Sequence, residues 1–137
     1  MLYFVTAYRP RPLKRHRHTR AGHTYDPSAH DKREWLALAR PHAPPAPLAG
    51  PLRCVVTARV QRPKKPKHNY PRSNPGDVDN IAKFHLDAMN GIFYIDDAQI
   101  VELTVTKQYA DCNEVTIMLE PVEVPVKLPA PRKRRRT

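Results

Sequence analysis

Five aspartates and one lysine fall within the twenty-one residues that run from Asp77 to Asp97: Asp77, Asp79, Lys83, Asp87, Asp96 and Asp97. Carboxylates that converge repel one another unless they are protonated or bridged by cations. A ligand set made only of oxygens favours a hard divalent ion, Mg²⁺ or Mn²⁺. Beside a phosphodiester, such an ion can activate a water molecule, neutralise developing charge and stabilise the leaving oxygen. Lys83, one helical turn beyond Asp79, is spaced to hold a phosphate oxygen or support the transition state. Zinc fits poorly, because the seven histidines are scattered and neither cysteine shows metal-ligand spacing.

Each acid also has an ordinary use. Asp77 or Asp79 can cap a helix, Asp79, Lys83 and Asp87 can form a solvated ion-pair ladder at i, i+4 and i+8, and Asp96-Asp97 can be turn residues. Those uses do not explain why acid gathers in one short unit of a chain with 24 Lys+Arg against 13 Asp+Glu and a formal charge of +11. The cationic remainder predicts a phosphate-rich partner.

The elements that must position these groups follow from periodicity. Asp79 to Asn90 reads as a helix: Asp79, Lys83 and Asp87 share a stripe with Asn80 beside them, and Ile81, Phe84, Ala88 and Met89 face the core. Asn90-Gly91 stops it. Asp77 precedes it by two residues, and Asp96-Asp97 occupy the turn before the next strand, from which a short return would bring them back toward Asp77 and Asp79. Leu2 to Tyr8 reads as a first strand and Leu52 to Val60 as a half-buried one. Ile100 to Tyr109 has Val101, Leu103 and Val105 on one face and pairs with Glu114 to Leu119 as a hairpin. An earlier helix starts at Ser28, with Ser28 and Asp31 as its capping pattern, and Trp35, Leu36 and Ala39 give it an apolar face. Strand, helix, strand, helix, strand, strand predicts an α+β fold: one small domain with a mixed or antiparallel sheet and two main helices.

The domain is expected to span residues 1–122, including a stiff Pro-rich connector at 41–51, with a basic and disordered tail at 123–137. Two loops are dense in base, "LKRHRHTRAGHTYDP" and "QRPKKPKHNYPRSNPG". Cys54 and Cys112 read as buried, reduced thiols, and the chain as soluble, without a membrane span or signal peptide.

The stretch "DVDNIAKFHLDAMNG…IDDAQIVELTV.K" strongly resembles the RusA-type Holliday junction resolvases, small homodimeric endonucleases of bacteria and phages. The likeness rests on Asp77-x-Asp79-Asn80, Lys83, Asp87, Asp96-Asp97-x-Gln99 and the strand reaching Lys107. It extends over the first strand, the "RHR" loop at Arg15 to Arg17 and the second strand. The resemblance implies Mg²⁺-dependent paired nicking of four-way DNA junctions, with Asp77, Asp79 and Asp97 as the essential metal-binding carboxylates. Lys83 would be the supporting cation, Asp96 a further metal ligand, and Asp87 and Asn80 would give support. The segment before Asp77 carries a single arginine where the family has an Arg-rich lead-in. Lys64, Lys65, Lys67, His68 and Arg72 are therefore expected to grip DNA, together with Lys14, Arg15, Arg17 and Lys107. The partners implied are branched DNA and a second copy of the chain, with no membrane and no small-molecule cofactor. The setting implied is the cytoplasm of a bacterial or phage-infected cell, or a nucleus for a eukaryotic host. Two other functions use the same residues: a non-catalytic basic DNA-binding protein, and a Mg²⁺ nuclease of other branched or single-stranded DNA.

Overall fold

The computed structural model describes residues 1–15 and 17–124, without the side chain of Arg17. The expected tail at 123–137 thus lies outside the described residues except for its first two positions. The α+β expectation holds. The chain runs β1 (Leu2–Thr6), β2 (Arg17–His18), β3 (Thr24–Tyr25), α1 (Ala29–Ala39), β4 (Leu52–Gln61), α2 (Val78–Met89), β5 (Ile100–Ala110) and β6 (Glu114–Pro121). Four strands form a mixed sheet in the order β1-β6-β4-β5, while β2 and β3 pair in a separate ribbon.

One face of the sheet is apolar because every second residue is. Leu52, Cys54, Val56, Ala58 and Val60 of β4 are buried, as are Val115, Ile117 and Leu119 of β6 and Phe4 of β1. Against that face lie Trp35 and Ala39 of α1, Ile81, Phe84, Ala88 and Met89 of α2, and Phe93 and Tyr94 from the chain after α2. The Trp35 indole donates to Thr6 Oγ1 at 2.9 Å, which donates in turn to Val115 O at 3.3 Å, so the indole N–H and the Thr6 hydroxyl are both satisfied.

Three sequence expectations require correction. The β5–β6 hairpin does not form, because β4 lies between the two strands, parallel to β5 and antiparallel to β6. The connection Asp111–Asn113 crosses the end of β4, where Asn113 Oδ1 accepts from Gln61 N at 2.9 Å. Alternation fixes which face a residue occupies and is silent on which strand is its neighbour. That connection also leaves Cys112 exposed, its Sγ 3.4 Å from Glu114 Oε1, while Cys54 is buried as expected and its thiol is pushed up to about 12 by desolvation. Ser28 is the N-cap residue of α1, but its side chain makes no capping bond; it accepts from Lys14 N at 2.9 Å and so ties down the basic loop.

β5 is an edge strand, and its expected apolar face is largely uncovered: Val101 is 57% and Leu103 45% exposed, with Val105 half-buried. Ile95, just before the acidic turn, is 63% exposed. Among the described residues, no helix is long and apolar enough to cross a membrane.

Candidate functional site

α2 runs antiparallel to β5, and this decides where the aspartates go. Lys107, well along β5, donates from Nζ to Gly76 O at 2.9 Å and also to Arg72 O, beside the start of α2. The chain preceding β5 therefore lies at the other end of the helix, where Tyr94 donates to Leu86 O at 2.6 Å. The Asp96-Asp97 turn returns to Asp87 and not to Asp77.

At this C-terminal end the turn is built by its own residues. Asp97–Gln99 is a single 3-10 turn with Asp96 as its N-cap. Asp96 N donates to Gln99 Oε1 at 2.9 Å, and the Asp96 carboxylate accepts from Ala98 N at 3.4 Å. The Gln99 amide then donates to Leu48 O at 2.9 Å and Gly50 O at 2.8 Å, fastening the turn to the Pro-rich connector. Burial raises the affinity of Asp97 for its proton, and a hydrogen bond with Asp96, the charge of Asp96 and then that of Asp87 raise it further. Lys32, on α1, answers part of this charge: its Nζ is 3.8 Å from Asp87 and 2.5 Å from Asp26. Sequence spacing does not reveal Lys32, because α1 and α2 meet only in the folded chain.

At the N-terminal end the acids are open. Asp77 is the N-cap residue, with extended φ −72° and ψ 150°; its carbonyl accepts from Ile81 N at 3.0 Å while its side chain makes no capping bond. Asp79 and Lys83 are exposed, Asn80 is half-buried, and among the described residues Lys83 forms no ion pair. The i, i+4 ladder is thus absent, Asp87 being paired across to Lys32. Gly76 is required here, since a Cβ would stand 2.7 Å from Pro12 Cβ. Leu13 N donates to Asn80 O at 2.9 Å, so the strand of chain carrying exposed Lys14 and Arg15 passes the first turn of α2.

Beside Asp77 opens a basic groove in two joined parts. One part, of about 660 Å³, is lined by Arg9, Arg62, Lys64, Lys65, Lys67 and Arg72 among others. The second, of about 560 Å³, shares Lys67, His68, Arg72 and Ser73 with the first and adds Tyr70, Asp77 and Lys107. Of the cations expected to grip DNA, Lys64, Lys65, Lys67 and Arg72 line this groove, while Lys107 spends its donors on backbone carbonyls at its wall. Sequence reasoning misses Arg9 and Arg62; their signal is only that they flank strands whose ends meet here.

The structure therefore brings Asp87, Asp96 and Asp97 together at one end of α2 and leaves Asp77 and Asp79 at the other, about 15 Å of helix axis separating Asp77 from Asp87. Oxygens sharing one Mg²⁺ at roughly 2.1 Å stand no more than about 4 Å apart. Among the described residues, the trio of potential ligand atoms within 4.8 Å of one another is His30, Asp31 and Glu34, in the first turn and a half of α1. Within that trio His30 stands 3.4 Å from Glu34, and Asp31 is drawn outside it to Arg11 at 4.0 Å.

Comparison with known proteins adds the family. Residues 7–120 match the family model described as endodeoxyribonuclease RusA. The chain is also similar to a Bacillus subtilis (strain 168) protein named "Uncharacterized protein YqaN". The two are 34% identical over 116 residues, covering 73% of this chain and 80% of that protein.

Proposed function

From the premise that this chain belongs to the RusA endodeoxyribonuclease family, we propose that it is a divalent-metal-dependent nuclease that resolves four-way DNA junctions by paired nicks. The observation that carries this reading is the meeting, at the start of α2, of a basic groove and an uncapped carboxylate, Asp77. Base alone binds phosphate, but a carboxylate at the same place repels it unless a cation intervenes.

The ligands proposed are Asp77, Asp79 and Asp97, with Asp96 beside them, and this all-oxygen set suits Mg²⁺, with Mn²⁺ as a substitute. An ion held there would supply an activated water and neutralise charge on the phosphate during hydrolysis. The chain's own residues do the rest. The groove cations orient the backbone, Lys83, which has no ion pair among the described residues, offers its ammonium to a phosphate oxygen, and Asn80 and Asp87 support the two groups of acids.

The 15 Å between the two groups gives the second copy a chemical task. In a two-fold dimer, the Asp77–Asp79 end of one protomer can face the Asp96–Asp97 turn of the other, which yields two equivalent composite sites. Exposed Ile95, Val101 and Leu103 flank that turn and would be covered by such a partner. Two equivalent sites are what symmetric nicking of a four-way junction requires.

Mixing inactive variants tests both halves of the reading. Asp79→Asn and Asp97→Asn proteins should each fail to nick a synthetic four-way junction in Mg²⁺. After mixing and subunit exchange they should regain activity, because half of the heterodimer's sites are intact. Two inactive variants that never complement would remove the shared site, and a parent protein that leaves junctions whole in Mg²⁺ and Mn²⁺ would remove the nuclease.

A further inference from the structure

The second part of the groove holds an aromatic pair for which phosphate binding has no use. Tyr70 is 55% exposed, and its ring centroid lies 6.0 Å from that of His68 at an interplanar angle of 37°. His68 is oriented in turn by Arg72, whose Nη1 donates to His68 Nε2 at 3.2 Å. The loop is anchored just beyond Tyr70: Pro71 is buried, and Lys107 holds the carbonyls of Arg72 and Gly76 from β5. The ring is therefore presented from a fixed base, inside a wall of cations and in the same cleft as Asp77. A large exposed aromatic in that setting gains little from an intact duplex, whose bases are stacked on one another.

We propose that Tyr70, backed by His68, is a stacking platform for an unpaired base at the branch point, and that it makes this groove select opened DNA over continuous duplex. The inference rests on the nuclease reading above and deepens it by naming which form of DNA the groove takes. Base–aromatic stacking tolerates any sequence, because every base has a π-face, and the neighbouring Lys67 and Arg72 hold the phosphates on either side of the stacked nucleotide. Tyr70 is thus a specificity-determining residue, and the reacting phosphate is left to the aspartates.

The test uses the full chain without metal, so that binding is read separately from cleavage. The probes are a four-way junction carrying 2-aminopurine at the branch, a twelve-nucleotide oligo(dT) and a duplex of matched length. With the parent, 2-aminopurine fluorescence should fall on binding as the base stacks. Tyr70→Ala should abolish that change and weaken junction and oligo(dT) binding roughly ten- to a hundredfold, leaving duplex affinity within about twofold. Tyr70→Phe, which keeps the ring, should behave as the parent. Equal weakening on all three DNAs, or no weakening by Tyr70→Ala, overturns the platform. In Mg²⁺, junction nicking that ignores Tyr70→Ala sinks the platform alone, whereas base stacking without any nicking sinks the nuclease reading and leaves the platform standing.

Discussion

The two ends of α2 carry the same side chain, aspartate, in opposite settings. At the C-terminal end Asp96 and Asp97 sit in a turn pinned by three hydrogen bonds through Gln99, and their mutual repulsion is held in place by that framework. At the N-terminal end Asp77 and Asp79 make no such commitments, and what is fixed is the backbone under them, by Gly76 against Pro12 and by Lys107 across to β5. One end spends structure on crowding charge together; the other spends it on leaving charge open beside a cationic groove. A metal site needs both, since ligands must be positioned by their surroundings and still be free to take an ion.

The sharpest way to break this comparison is to neutralise one end at a time. Asp79→Asn and Asp97→Asn should each lower junction nicking by about a hundredfold or more, with junction binding in EDTA unchanged. If only one of them matters, the ends are not two halves of one site.

The next effect concerns the supports rather than the acids. Gln99→Ala removes the amide's hydrogen bonds to Leu48 O and Gly50 O and should cost about 1–3 kcal/mol of stability in urea denaturation. Gly76→Ala forces a Cβ into Pro12 and should cost a comparable 1–3 kcal/mol. Nicking should suffer in both. A neutral Gly76→Ala would show that the open end tolerates movement.

A proton tests the helix that joins the ends. His85 is fully buried on α2, its Nδ1 2.7 Å from Ile81 O and its Nε2 without a partner among the described residues, and desolvation lowers it from 6.5 to about 4. Because the folded value lies below the unfolded one, the unfolded chain takes up the proton first as pH falls. Stability carried by neutral His85 is whole above pH 6.5 and is lost on the way down to pH 4, by about 2 kcal/mol at pH 5. His85→Leu should flatten that part of the stability–pH curve.

The smallest effect sharpens the basic side. Replacing Lys64, Lys65 and Lys67 with alanine should reduce the slope of log affinity against log salt by roughly 0.9 for each phosphate that is no longer neutralised. An unchanged slope would place the DNA elsewhere.

Periodicity made much of this legible. The helix carrying Asp79, Lys83 and Asp87 begins one residue from its expected start and buries all four residues assigned to its core face. His85 and Ala82 are buried as well, because α1 covers a wider stripe than α2's own pattern implies; His85 meets the Trp35 ring edge-on at 4.8 Å. What escaped the sequence were relations between distant segments. Lys32 reaches Asp87 across two helices, Gln99 reaches a carbonyl 51 residues away, and β4 slips between β5 and β6. Alternation and helical spacing describe a single element, and these relations belong to pairs. The aspartates were found by residue type alone, whereas their division between the helix ends depended on the direction of α2 against β5.

The pairing of β1 with β6 has a consequence for synthesis. Leu2 sits opposite Leu119 and Thr6 opposite Val115, so β1 leaves a ribosome more than a hundred residues ahead of β6 and waits for it before it has a neighbour. Until then Phe4 has no sheet to join, and the wall on which α1 and α2 rest is incomplete. Both groups of acids depend on that wall, so a nascent chain should acquire the nuclease activity proposed above only after β6 has emerged.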